Sequence, residues 1–313
     1  MTDQANAGKR LIVQAVLKTD VGRVRSENQD FGAYTTPDEE LNSRPGGRLL
    51  IVADGMGGHR GGATASRLAT ETVKAQYLGS ETDDVAAALN DSLTRANARV
   101  YSESMANADL RGMGTTTSAL VVRGKNAWFG HVGDSRIYLV RGDQIKQITD
   151  DHSLVATMVR EGLLTAEEAE NHPRRNVLQR SLGVAEQLEA DVRGPFDVQE
   201  GDVFILCSDG LHGLVKEEEM KQVAQMPIAQ AAAEFVRRAL DRGAPDNVTV
   251  IVAKISAEED VISAGEDTLV DNKRAALEET QVETAPRPSA LIIAVLLLGA
   301  AGAWLVWTST LTP

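Results

Sequence analysis

The sequence predicts an α+β domain, on three observations. Eight runs are β-branched or alternate in polarity and end in Gly/Asp turns, the signature of strands. Three longer stretches repeat apolar residues at helical spacing. The two kinds of element come in blocks, without the strict strand–helix alternation of a doubly wound parallel sheet.

In chain order, the first strand is Leu11–Lys18 and the second Arg48–Ala53. Helical patterns follow at Gly61–Tyr77 and Asp84–Ala106. Four strands come next: Thr115–Arg123, Asn126–His131, Arg136–Arg141 and Gln144–Gln147, the last two joined by the hairpin Arg141-Gly-Asp-Gln144. The strand Asp202–Cys207, the helix Ile228–Arg242 and the strand Val248–Ile255 complete one domain spanning residues 10–255. No internal repeat is visible.

The chain has 313 residues and a net charge of −13, with 42% hydrophobic residues. That apolar share supports a sizeable core and excludes disorder throughout. The acidic balance disfavours broad binding to nucleic acid. A single cysteine, Cys207, excludes a disulfide framework and a CxxC zinc site. Residues 1–9 read as a disordered N-terminus without the apolar core of a signal peptide.

The C-terminal part has a different character. Residues 256–289 hold nine acidic and three basic residues, few large apolar ones and a Pro-rich end, and read as an acidic linker. Residues 290–307 are 18 in a row without a charge. As a helix they would measure roughly 27 Å, close to the bilayer core. Trp304 and Trp307 suit an interfacial belt, with Arg287 on the near side. The expectation is a single-pass transmembrane helix anchoring the protein in the cell inner membrane, with the preceding domain in the cytoplasm. Much of the −13 therefore sits in the tether, so net charge alone argues weakly against anionic partners.

Several aspartates stand at strand ends beside glycine. Asp54 ends Leu49-Leu-Ile-Val-Ala, Asp134 follows Val132-Gly133, Asp209 follows Cys207-Ser208, Asp246 precedes Val248-Thr-Val-Ile-Val, and Asp30 follows Asn28-Gln29. Carboxylates fixed there are partly desolvated, which is unfavourable for each alone. Several converging would repel one another unless a multivalent cation lay between them. Hard oxygen ligands without cysteine or paired histidine favour Mg²⁺ or Mn²⁺ over Zn²⁺. For any one of these residues a turn-forming role is the plainer explanation; the pattern of five is what argues for a site.

Six stretches carry a family resemblance. They are Gly22-Arg-Val-Arg25-Ser-Glu-Asn28-Gln-Asp30, Asp54-Gly-Met-Gly-Gly-His59, Gly112-Met-Gly-Thr-Thr116, Val132-Gly-Asp134-Ser-Arg136, Ser208-Asp209-Gly210-Leu211 and Asp246-Asn247-Val-Thr249. In this order and spacing they resemble the metal-dependent protein Ser/Thr phosphatases of the PPM (PP2C-type) family, in its bacterial form. Residues 150–183 resemble that form's flap beside the active site. The resemblance implies a four-layer αββα sandwich of two antiparallel sheets flanked by helices. It also implies a binuclear Mn²⁺ or Mg²⁺ centre, with room for a third ion. By motif position Asp54 would bridge both metals and Gly55 would offer its carbonyl oxygen. Asp209 and Asp246 would complete the first site, Asp30 would hold metal-bound waters, Asp134 would serve the third ion, and Arg25 would bind the substrate phosphate. The reaction implied is hydrolysis of phosphoserine and phosphothreonine by a metal-bridged hydroxide, opposing a cognate Ser/Thr kinase acting on the same phosphoproteins.

The residues fit those roles. Water shared by two divalent ions ionises near neutral pH, and the planar arginine fork grips two phosphate oxygens. Cys207, in an apolar strand beside carboxylates, makes a poor nucleophile. There is no GxSxG and no GxxxxGK[ST]. Two positions depart from the family. Gln29 stands where Glu is frequent, and Met56 stands where eukaryotic members carry a histidine proposed as general acid; His59 lies three residues beyond. His131, His152, His172 and His212 lack metal-ligand spacing and read as structural or flap residues. Two other readings stay open: a two-metal phosphoesterase acting on small molecules or nucleotides, and a non-catalytic phospho-sensing module on the same fold.

Overall fold

The computed structural model describes residues 10–57 and 61–258. The expected disordered N-terminus, His59, nearly all of the acidic linker and the apolar stretch at 290–307 lie outside the described residues.

Among the described residues eleven strands form two antiparallel sheets. The first has the order β1 (Leu11–Asp20), β11 (Val248–Ala257), β10 (Val203–Cys207), β7 (Arg136–Arg141), β8 (Gln144–Gln147). The second has the order β2 (Asp30–Tyr34), β3 (Arg48–Met56), β5 (Thr117–Arg123), β6 (Asn126–Val132), β9 (Asp191–Asp197), and the two-residue β4 (Gly114–Thr115) also pairs with β3. On the outer face of the second sheet pack α2 (Gly61–Leu78) and α3 (Val85–Ala106). On the outer face of the first pack α7 (Glu217–Val223) and α8 (Ile228–Asp241). The short helices are α1 (Pro37–Leu41), α4 (Leu154–Arg160), α5 (Ala166–Glu170) and α6 (Asp209–His212). The four-layer arrangement expected from the resemblance is therefore what the described residues adopt.

Strand alternation explains the layering. Phe204 and Leu206 of β10 enter the core between the sheets, while Val203, Ile205 and Cys207 face the α7–α8 layer. Leu50 and Val52 of β3 point inward, and Leu49 and Ile51 meet α2 and α3. Both faces of the central strands are covered, so these strands read as continuous apolar runs rather than half-polar ones.

The strand and helix boundaries expected from the sequence hold to within a few residues, and Arg141 pairs with Gln144 across the expected hairpin. Two strands escape the pattern. β2 is five residues with Gly32 at its centre, where an added Cβ would stand 2.7 Å from Leu17 Cδ1. The glycine that weakens its strand signal is required by the approach of the two sheets. β9 contains Gly194-Pro195, which is tolerated because β9 lies at a sheet edge.

Candidate functional site

All five singled-out aspartates gather at one end of the sandwich. Asp30 opens β2 and Asp54 lies near the end of β3, and the two are directly opposite in the ladder. Like charges so placed destabilise a strand pair. Asp134 sits in the turn between β6 and β7, Asp209 is the first residue of α6 just past β10, and Asp246 immediately precedes Asn247 and β11. Strand ends of both sheets thus meet, and Asp54 feels the charges of Asp30, Asp209, Asp134 and Asp246 together.

Burial is the main cause of the resulting shifts, with mutual repulsion added to it. Asp30 is pushed up to about 7 and Asp134 to about 8. Asp54 rises well above the usual carboxylate range, and Asp209 rises too. Hydrogen bonds from Ser208 and Thr249 counteract part of the rise at Asp30. The side chains of Asp54 and Asp209 stand within hydrogen-bonding reach of each other, a contact that needs a shared proton or a cation. Asp209 Oδ1 is buried without a hydrogen-bond partner. An orphaned carboxylate oxygen among four other aspartates fits a hard divalent cation. Among the described residues no three acidic, histidine or cysteine side chains form a ready-made cage. Backbone carbonyl and water oxygens would have to complete the shell, which is how Mg²⁺ is commonly held.

Arg25 is the cationic member of the group. Its guanidinium meets Asp246 Oδ2 at 2.7 Å and also feels Asp54 and Asp209. It is about half exposed, at 53% of its side-chain surface, so it stands at the surface beside the buried aspartates. Gly55 is required sterically: a Cβ there would lie 2.0 Å from the Gly62 carbonyl oxygen of α2. Its N–H donates to Gln29 O at 3.0 Å, tying the Asp54 strand to the loop before Asp30.

A support layer surrounds these groups. The Thr116 N–H and the Thr115 hydroxyl both donate to Asp54 O at 2.8 Å, and Thr116 Oγ1 accepts from Asp54 N at 2.9 Å. Asn247 clamps the loop that bears Arg25: its Oδ1 accepts from Gln29 N at 2.8 Å, and its Nδ2 donates to Val21 O and Glu27 O at 2.9 and 3.0 Å. Ser66 of α2 donates to Gln29 O at 2.6 Å. These partners carry no periodic signal. Thr115, Thr116 and Asn247 fall inside the six stretches, but Ser66 was not legible.

Three histidines, His131, His152 and His212, occupy structural positions. His212 Nε2 donates to Asp134 O at 3.0 Å, and burial pushes its pKa down to about 3. His131 bonds Ser118 and Asp150 O, and burial pushes it to about 4. His152 accepts from Gly133 N at 3.2 Å. Each is neutral at pH 7. Cys207 is fully buried and its thiol is pushed up to about 12, so it is inert. Residues 150–183, the stretch that resembles a flap, are tied to the rest of the domain at two points. Leu182 bridges to Thr115, beside Gly55, and Glu170 pairs with Lys216 at 2.9 Å, beyond α6.

A two-sheet sandwich gathering five aspartates and one arginine at one end has the chemistry of a divalent-cation-dependent phosphohydrolase. A model of the protein phosphatase 2C family matches residues 25–247. The serine/threonine phosphatase stp of Listeria monocytogenes is 35% identical over 262 residues, covering 82% of this chain and 99% of that protein. The crystal structure of the Mycobacterium tuberculosis serine/threonine phosphatase PstP/Ppp superposes with a TM-score of 0.70 at 34% identity, covering 78% of this chain and 99% of that one. The catalytic domain of PstP in complex with two manganese ions gives a TM-score of 0.68 at 34% identity, covering 79% of this chain and 99% of that one. This chain belongs to the protein phosphatase 2C family and is an enzyme of the serine/threonine protein phosphatase class.

Proposed function

We propose that the chain removes phosphate from phosphoserine and phosphothreonine of proteins with two divalent cations, Mn²⁺ or Mg²⁺, held at the aspartate cluster. The observation that carries this reading is the convergence of five aspartates around the unpartnered Asp209 Oδ1. Asp54, Asp209, Asp246 and the Gly55 carbonyl would hold the two ions, with Asp30 ordering their water and Asp134 serving a third. Bound there, the cations lower the pKa of water towards neutrality and offset phosphate charge. Arg25 supplies two parallel N–H donors to the phosphate oxygens once it lets go of Asp246, and its half-exposed position suits a large, solvent-borne substrate. His131, His152 and His212 are buried and neutral, so among the described residues none of these three would protonate the leaving oxygen, and solvent would supply that proton.

The test is turnover of a phosphothreonine peptide against nucleotides, with and without Mn²⁺. Metal-dependent turnover of the peptide with slow turnover of nucleotides supports the reading. A preference for nucleotides overturns the protein-substrate assignment, and no turnover of either favours a sensing module.

No helix among the described residues is long and apolar enough to cross a membrane. The uncharged run at 290–307, outside them, supports a single-pass anchor in the inner membrane with the catalytic domain in the cytoplasm, acting against a Ser/Thr kinase. Truncation at Ala285 tests the anchor: a shortened chain that stays in the membrane fraction overturns it.

A further inference from the structure

Asp30 is held by more than burial. Ser208 donates to Asp30 Oδ2 at 2.6 Å, and the same hydroxyl accepts from Thr249 N at 3.0 Å. Ser208 is the N-cap of α6 yet makes no cap bond, although serine in that position ordinarily accepts from the first turn. Its hydroxyl is turned towards Asp30 instead. The Thr249 side chain also favours the ionised form of Asp30. Thr249 in turn meets Thr19 Oγ1 at 2.7 Å, across a registered pair of β1 and β11. Asn28 Nδ2 donates to Thr19 Oγ1 at 2.8 Å, and Asn28 Oδ1 accepts from Asp30 N at 3.1 Å.

An amide N–H₂ only donates, so Thr19 receives from Asn28 and its own proton is available to Thr249. With Thr19 as donor, the Thr249 proton is left for Asp30, whose ionised form Thr249 favours. Ser208 is pre-oriented by a backbone N–H, and Thr249 by a relay that returns to the residue two before Asp30.

We propose that Thr249, Thr19 and Ser208 are positioning residues that hold the Asp30 carboxylate in one orientation, ready to order water at the cation site. The proposal rests on the phosphatase reading above. Partners at this remove from a metal usually matter by about 10-fold or more in affinity or rate.

The test uses the purified full chain with Mn²⁺ and p-nitrophenyl phosphate, Mn²⁺ titration calorimetry and thermal unfolding. Thr249→Val keeps the branched shape and removes the hydroxyl. It is expected to lower kcat by about 10-fold with KM little changed, and to weaken Mn²⁺ binding by a similar factor. Its unfolding midpoint is expected to stay close to the wild type's. Thr249→Ser is expected to recover most of kcat, and Thr19→Val to fall between Thr249→Val and wild type. Wild-type kcat and Mn²⁺ affinity in Thr249→Val overturn the proposal. So does a loss that follows the unfolding midpoint and is not recovered by serine, and wild-type behaviour of Thr19→Val removes the relay. If the wild type shows no Mn²⁺-dependent turnover, the phosphatase reading fails, a result separable from any difference among the variants.

Discussion

Asp30 and Asp54 face each other across two paired strands, a placement that only a proton or a cation makes favourable. Asp54→Asn and Asp209→Asn are therefore expected to abolish Mn²⁺-dependent hydrolysis of p-nitrophenyl phosphate while the metal-free fold survives, because each removes a charge the apo protein must tolerate. Wild-type rates in either purified variant would exclude both residues from the metal site. Gly55→Ala acts differently. Its Cβ would stand 2.0 Å from the Gly62 carbonyl oxygen, so β3 or α2 must move. Loss of activity together with a lowered unfolding midpoint is expected, in contrast to the aspartate variants, and an unchanged midpoint contradicts the steric argument. The same glycine illustrates what a lone sequence shows: its place beside Asp54 marks a turn, but its neighbour on α2 cannot be guessed from spacing.

At the scale of elements, the loop between β1 and β2 has no regular structure of its own and is held in place by Asn247. Removing that side chain deletes three part-buried hydrogen bonds, to Gln29 N–H and to the Val21 and Glu27 carbonyls, and a typical hydrogen bond contributes about 1 kcal/mol net. Asn247→Ala is thus expected to lower stability by that amount per bond in urea unfolding and to raise KM, because Arg25 rides on the loop. A normal KM with the stability loss would show that the loop finds its place without the clamp. Elements that bury both faces were legible in sequence, since β10 and the stretches Leu49–Ala53 of β3 and Val250–Ala253 of β11 are apolar runs. β2 and β9 were not, because glycine and proline in them answer to a sheet-to-sheet contact and to an edge position.

For the whole molecule, the aspartate cluster links stability to pH and to metal. Asp30 and Asp134 have folded values of about 7 and 8, above the ordinary carboxylate value they take when unfolded. Groups raised in this way favour the folded state fully at low pH, and that contribution is lost as pH rises through the folded values. The chelated protein is therefore expected to melt at a lower temperature at pH 8.5 than at pH 5.5. Added Mn²⁺ is expected to raise the midpoint more at pH 8.5, where the carboxylates are free of protons. A chelated midpoint that climbs over this range contradicts the assigned shifts.

By itself the sequence determined the chemistry and the class. Alternation and apolar runs depend on local geometry, and the six stretches, each bearing aspartate or glycine, keep their order along the chain, so both can be read without a fold. Only the tertiary structure decided which groups meet. It set Asp30 opposite Asp54, left Asp209 Oδ1 without a partner, drew Arg25 onto Asp246, and aimed Ser208 and Thr249 at Asp30. Those contacts join residues as far as 221 positions apart. They arise from strand register and sheet packing, which the spacing of residues along one chain does not contain.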